Sequence, residues 1–193
     1  MKRRVLGALF ALLFLFLSGC SGGGGEGKSQ VLAEFYSSVI RFSADVSIVA
    51  DYEEYVVPFT LSFFYEKDGE SLLTVREPDT IEGVRVLYND GEASLQYDDV
   101  RIDTGPLSPG GMTPIGAVPT LVTLWSDGLL IEEGTETMDD VKYLLYTYRA
   151  EGEGEGVFYR TWFDPDTFLP VKAEGVADGR AVLQIEFSNA LVE

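Results

Sequence analysis

The sequence contains no histidine and only one cysteine among its 193 residues. Without histidine, the chain cannot assemble a Ser-His-Asp triad or a Cys-His pair, and no metal site can use an imidazole ligand. A single cysteine also excludes an internal disulfide, so the folded chain must take its stability from its core. These absences remove the commonest routes to hydrolysis and to zinc chemistry.

Basic residues are scarce as well: 14 Lys and Arg stand against 32 Asp and Glu, a net charge of −18. A chain this acidic is repelled by phosphate backbones and anionic headgroups, which argues against nucleic acid and against flat adhesion to a bilayer. Hydrophobic residues nevertheless make up 46% of the sequence and aromatic residues 12%, as in a globular protein. We therefore expect one acidic, folded domain.

The N-terminus has the three zones of a secretory signal peptide. Three basic residues precede an apolar run of 13 residues, 5–17, which is followed by small residues up to Cys20. Because a helix needs about 20 apolar residues to cross a bilayer, a spanning anchor is the weaker interpretation. Residues 1–19 are predicted to be removed on export.

The stretch Leu17-Ser18-Gly19-Cys20 resembles the lipobox of bacterial lipoproteins. In that motif the thiolate is alkylated with diacylglycerol, and the chain is cut before the cysteine, where a small residue such as Gly19 admits the peptidase. The alternative is a chance cysteine in a signal peptide that is cut elsewhere. The resemblance implies acyl groups such as palmitate on Cys20, no other cofactor, and anchoring to the outer face of the cell membrane, or to the outer membrane where a cell has two.

The rest of the chain divides into a glycine-rich tether, residues 20–30, and a domain, residues 31–193. Residues 31–42 have helical spacing, and from Phe42 onward polar and apolar residues alternate as in strands joined by tight turns. Five or six strands precede a break at residues 104–128, whose second half, residues 114–126, is predicted to be a helix. Five further strands are expected at residues 129–133, 141–150, 157–164, 169–174 and 181–187.

The stretch YRTWFDPDTFLPVKAE, residues 159–174, is similar to a strand, D-P-x-T turn, L-P, strand signature near the C-terminus of the LolA/LolB-like lipoprotein-carrier superfamily. That superfamily includes lipid-carrying and spore-germination lipoproteins. The resemblance implies a mainly β (α+β) fold: a strongly curved, incompletely closed antiparallel half-barrel whose concave face is covered by an N-terminal and a mid-chain helix. Asp164, Pro165, Thr167 and Pro170 are interpreted as turn residues.

A half-barrel of this kind implies an apolar cavity, because its concave face is too wide for its own side chains to fill. The predicted lining is Val46, Ile48, Phe59, Leu61, Phe63, Leu95, Tyr97, Leu183 and Ile185. The predicted cover is Leu107, Met112, Ile115, Leu121 and Trp125. The same residues would equally form a closed core, and the sequence pattern does not separate the two.

Four pairs of adjacent carboxylates raise the question of glycoside hydrolysis, which uses two such groups. They are Glu53-Glu54, Asp98-Asp99, Glu132-Glu133 and Asp139-Asp140. Neighbours on a strand point to opposite faces, so the pairs are interpreted as solvated charges, and no enzyme is expected. The sequence also lacks a D-x-[DN]-x-[DN]-G calcium loop, and no metal site is predicted.

These observations favour a membrane-anchored extracytoplasmic lipoprotein that binds a lipid or an acyl chain, or takes part in placing lipoproteins, without catalysis. The alternative is a regulatory or protein-interaction lipoprotein with a closed core. In that case acidic hairpins, such as the one predicted at residues 151–156, would dock a basic protein partner.

Overall fold

The computed structural model describes residues 26–89, 92–106, 112–150 and 156–193. These residues form the helices α1 (Glu26–Ser38) and α2 (Pro114–Asp127) and a short 3-10 helix at Asp79–Ile81. They also form the strands β1 (Arg41–Asp51), β2 (Val56–Glu66), β3 (Ser71–Glu77), β4 (Arg85–Asn89), β5 (Glu92–Tyr97), β6 (Val100–Pro106), β7 (Leu130–Met138), β8 (Val141–Arg149), β9 (Phe158–Phe163), β10 (Pro170–Ala177) and β11 (Arg180–Val192).

All the strands of the described residues belong to one antiparallel sheet, in the order β6-β5-β4-β3-β2-β1-β11-β10-β9-β8-β7. The first and last strands pair in its middle, with Ile48 opposite Ile185, and so join the two meanders. The sheet curves but does not close into a barrel, because β6 and β7 lie at its opposite edges. The predicted half-barrel is confirmed.

Alternation along the strands decides which face of the sheet is buried. In β1, buried residues from Phe42 to Ala50 alternate with more exposed ones, and β11 repeats the pattern with Leu183, Ile185 and Phe187. Residues directly opposite each other in a pair point to the same face, so these side chains share one surface. We call this surface the inner face; it is the concave side that the sequence predicts.

Tight turns explain several of the acidic pairs. Asp139 and Asp140 both have positive φ, 49° and 63°, in the two-residue turn from β7 to β8, and such turns match the twist of the flanking strands. Asp98 (φ 49°) and Glu53 (φ 69°) also lie in turns. Three of the four pairs thus sit in turns and not on strands, and only Glu132-Glu133 lies within a strand.

Helix α1 differs from the prediction at both ends. It starts at Glu26, inside the expected tether, and ends at Ser38, before the predicted end at Phe42. The backbone amides of Ile40 and Arg41 donate to the carbonyl of Glu193, 2.8 and 3.1 Å away. Because this pairing with the chain end starts the sheet, Ile40 is left 58% exposed and Phe42 becomes a strand residue.

Helix α2 agrees with the prediction to within one residue. Thr113 caps it, since its Oγ1 accepts from the amide of Gly116 at 3.1 Å. Pro119 has no amide to donate to the carbonyl of Ile115, and the hydroxyl of Tyr88 donates to that carbonyl instead. A proline inside the helix is thus accommodated by a side chain from β4.

Two strands run well beyond their predicted ends: β7 reaches Met138 and β11 reaches Val192.

Among the residues described, no helix combines the length and the apolar character needed to cross a membrane.

Candidate functional site: the inner face of the sheet

The inner face beneath α2 is filled by aromatic rings around Trp125. Its ring centroid lies 5.0 Å from that of Tyr36 in α1, 5.4 Å from Phe163, 5.8 Å from Phe187 and 5.9 Å from Phe42. The indole Nε1 donates to Thr161 Oγ1 at 3.1 Å, a buried hydrogen bond. This part of the inner face is therefore a packed core of aromatic side chains.

The predicted lining residues occupy three kinds of position. Six of them are at most 2% exposed and belong to the core: Val46, Ile48, Leu61, Phe63, Leu183 and Ile185. Phe59 and Leu95 are partly buried against that core. Tyr97, which the sequence predicts to line the cavity, lies on the inner face but is 52% exposed, because it is at the end of β5 beside the edge strand.

The predicted cover also divides. Leu121 and Trp125 are fully buried, and Met112 and Ile115 are partly buried against the core. Leu107 lies outside the described residues, as does Cys20. Within the described residues, the predicted cover residues therefore lie in α2 and at Met112, just before it.

The start of α2 crosses the inner face from β10 to β4. On the β10 side, a Cβ added to Gly175 would lie 2.7 Å from Met112 Sδ, so the bare glycine provides the space that Met112 fills. On the β4 side, Tyr88 holds the Ile115 carbonyl, and burial raises the pKa of its hydroxyl well above the ordinary value. This hydroxyl therefore remains a hydrogen-bond donor.

At the β5–β6 end, the inner face remains open. Ile102 pairs with Leu95, and Val100 pairs with Tyr97, so these four side chains continue the apolar inner face. Tyr97, Val100 and Ile102 are nevertheless 52%, 59% and 57% exposed. We call these three residues the open apolar strip.

Sequence reasoning assigned neither Val100 nor Ile102 to the site. The alternation V-R-I-D at residues 100–103 was the signal that could have found them. It is only four residues long, and it stands between an acidic turn and a breaker-rich segment.

The D-P-x-T turn has the structural role that the sequence predicts. Asp164 Oδ1 accepts from the amides of Asp166 (3.0 Å) and Thr167 (2.8 Å) and from the Thr167 hydroxyl (2.8 Å). Burial acts to raise the pKa of Asp164, but these hydrogen bonds outweigh it and lower the pKa. The turn also holds α1, because Tyr36 donates to the carbonyl of Phe168 at 2.8 Å.

A depression of about 300 Å³, lined mainly by polar and charged residues, lies on the outer face of β4–β6. Leu87 and Ser94 pair across its floor, and Arg101 and Asp103 stand at its side. Its position and polarity separate it from the predicted lining.

No group of three or more potential metal ligands occurs among residues 26–89, 92–106, 112–150 and 156–193.

An open, curved antiparallel sheet with two helices on its inner face is the architecture that the resemblance of the signature around Asp164 implied. No family model and no curated protein matches the chain. Among solved structures, an uncharacterized conserved protein from Thermus thermophilus is similar with a TM-score of 0.57 and 9% identity, over 86% of each chain.

Two further structures share the architecture. A domain named for outer membrane lipoprotein sorting, from Vibrio parahaemolyticus, is similar with a TM-score of 0.52 and 11% identity, over 88% of this chain and 92% of that one. A DUF1329 family protein from Desulfovibrio piger has a TM-score of 0.51 and 12% identity, over 86% and 90%. At these identities the likeness is one of fold.

Proposed function

We propose that this chain is an exported lipoprotein, anchored through acyl groups on Cys20, that holds an acyl chain of a lipid or lipoprotein on its inner face without changing it chemically. The observation that carries the proposal is the open apolar strip, Tyr97, Val100 and Ile102, which continues a buried apolar face into solvent. The likeness to a domain named for lipoprotein sorting supports the same general role.

The filled and open parts of the inner face define where a guest would lie. The aromatic packing around Trp125 and its hydrogen bond to Thr161 occupy the face beneath α2. An acyl chain would therefore enter beside β6 and lie on Leu95 and the open apolar strip, next to the start of α2. The site is then a short apolar groove at one end of the half-barrel, in place of a cavity that runs its length.

The expected strength of binding depends on how many methylenes of an acyl chain the open apolar strip would cover. Burying about eight methylenes at about 0.8 kcal/mol each contributes about 6 kcal/mol of binding free energy. This corresponds to a dissociation constant of tens of micromolar. Binding of this strength allows exchange of the guest. It also sets the concentration at which a fluorescent fatty acid should be tested.

The anchor would keep the groove near lipid. Cys20 precedes the first described helix by six residues, a reach of about 20 Å when fully stretched. With two or three acyl chains the attachment is stable, whereas one chain would give reversible binding. The domain would then work at the outer face of the membrane that carries it.

Two measurements on the purified protein test the proposal. Mass spectrometry of the mature N-terminus should find diacylglycerol on Cys20, and Cys20→Ser should leave the protein unprocessed and free of radiolabelled palmitate. Organic extraction of the protein expressed without residues 1–20, or its titration with a fluorescent fatty acid at tens of micromolar, should detect a bound acyl chain. An unmodified thiol would refute the anchor, and failure of both acyl assays would refute the carrier.

A further inference from the structure

The tip of the β1–β2 hairpin displays two tyrosines that pack on each other instead of on the core. Tyr52 is 44% exposed and Tyr55 is 59% exposed, and their ring centroids are 5.1 Å apart with an interplanar angle of 36°. The next residue, Val56, is 60% exposed. The hairpin therefore ends in an exposed aromatic pair.

Backbone hydrogen bonds hold this tip in one shape. The amide of Tyr52 donates to the carbonyl of Tyr55 at 3.0 Å, and the amide of Glu54 donates to the carbonyl of Tyr52 at 2.8 Å. Asp51 Oδ1 accepts from the amide of Glu53 at 2.8 Å, which supports the positive φ of Glu53. Because the backbone is already ordered, a partner would lose little entropy in binding the two rings.

The charge at the tip is negative and only partly compensated. Arg180, in the neighbouring β10–β11 turn, reaches Glu53 at 3.0 Å and Asp51 at 4.0 Å. The carboxylate of Glu54 makes no ion pair among the described residues. Two carboxylates thus share one guanidinium, and the third, that of Glu54, has no cationic partner among the described residues.

Aromatic faces beside a carboxylate suit one kind of ligand group. A guanidinium can stack on a tyrosine ring and donate to a carboxylate at the same time, and arginine does this better than lysine because it is planar and weakly hydrated. The same carboxylates repel anionic lipid, which argues against a membrane as the occupant.

We propose that the tip of the β1–β2 hairpin, formed by Tyr52, Glu53, Glu54 and Tyr55, is a docking site for an arginine-bearing basic segment of a partner protein. The site is separate from the open apolar strip and does not depend on acyl binding. An exported lipoprotein of this design would bind a lipid and a protein at two different places.

The test uses the full lipidated chain in neutral detergent and a fluorescein-labelled octapeptide of alternating arginine and leucine, followed by anisotropy. Tyr52→Ala/Tyr55→Ala keeps the net charge and should weaken binding about fivefold or more. Glu53→Gln/Glu54→Gln should weaken it to a similar degree. The matched control is Asp139→Asn/Asp140→Asn, which removes two carboxylates from another tight turn and should change the affinity less than about twofold.

Two comparisons identify the contact. Tyr52→Leu/Tyr55→Leu keeps apolar surface without aromatic faces and should resemble the alanine variant, and a peptide with lysine in place of arginine should bind more weakly. If Glu53→Gln/Glu54→Gln and Asp139→Asn/Asp140→Asn weakened peptide binding equally, general charge attraction would explain the binding and the proposal would be overturned. The same would follow if the tyrosine variants had no effect on the affinity. Binding to phosphatidylcholine vesicles that disappears with the tyrosine variants would overturn it in favour of a lipid surface. Unchanged thermal unfolding is required of each variant, and the exposure of all four side chains makes it the expected result.

Discussion

Trp125 and Thr161 are joined by a buried hydrogen bond, with the indole Nε1 3.1 Å from the threonine Oγ1. This bond connects α2 to β9 across the inner face. It lies where four other aromatic rings surround the indole. A guest could reach this region only by separating the helix from the sheet, so the bond marks the closed side of the inner face.

Removing the acceptor should destabilise the fold. In Thr161→Val the indole N–H stays buried without its partner, which costs about 1–3 kcal/mol of unfolding free energy. Urea denaturation measures the change. Thr137→Val, at an exposed position near the end of β7, serves as the matched control and should change the stability by less than about 0.5 kcal/mol. Equal stability of the Thr161→Val and wild-type proteins would contradict the role given to this bond.

The contact between Met112 and Gly175 should appear as coupling between two substitutions. Gly175→Ala would place a Cβ 2.7 Å from Met112 Sδ and 3.1 Å from a Tyr159 ring atom, so the methionine must move, and overpacking of this kind costs about 1–3 kcal/mol. In a Met112→Ala background the same change should cost less. A double-mutant cycle by urea denaturation measures the difference, and strict additivity would mean that the two residues do not meet.

The pKa of Asp164 predicts a pH-dependent contribution to stability. Because the folded-state pKa lies below the ordinary value of 3.8, the contribution is present above that value and is lost as the pH falls through the folded-state pKa. The stability difference between wild type and Asp164→Asn should therefore be largest near neutral pH and shrink below about pH 4. Denaturation midpoints between pH 7 and pH 3 measure it.

The control for Asp164 is Asp166→Asn in the same turn, whose exposed side chain lies beside the turn's hydrogen bonds. This variant should not reproduce the pH profile. If both variants gave the same profile, net charge would explain it, and the specific hydrogen bonds to Asp164 would not.

The open apolar strip should control acyl binding. Ile102→Glu places a carboxylate where methylenes would lie and should weaken uptake of a fluorescent fatty acid at least tenfold, since burying an unpaired charge costs several kcal/mol. Leu191→Glu is the matched control, because Leu191 is 66% exposed on the outer face of the central strands. Equal loss in both variants would assign the effect to charge repulsion of the fatty acid.

Local signals predicted much of the fold. Two-residue alternation identified most strands, and the helical spacing of apolar residues after the breaker-rich stretch placed α2. The D-P-x-T turn was predicted correctly because its hydrogen bonds join residues close together in the sequence. The limits of α1 were wrong because its end depends on Glu193, at the opposite end of the chain.

The candidate site was harder to predict from the sequence. Alternation assigns Tyr97 to a face of the sheet but does not say how far the helices extend over that face. The 52% exposure of Tyr97 could therefore be seen only in the structure. Val100 and Ile102 belong to a short edge strand, whose register depends on β5. The pairing of Tyr52 with Tyr55 likewise depends on the geometry of a turn and not on a repeating pattern.

The open sheet leaves two edge strands in the described part of the chain, and they differ in chemistry. β7 carries Glu132, Glu133 and Glu136, so two copies meeting along it would repel each other. β6 has the apolar Val100 and Ile102 on the side where a guest is proposed to lie. An acyl chain lying there would thus also cover the apolar side chains of β6, and two copies of the chain would associate along this edge most readily when no guest is present.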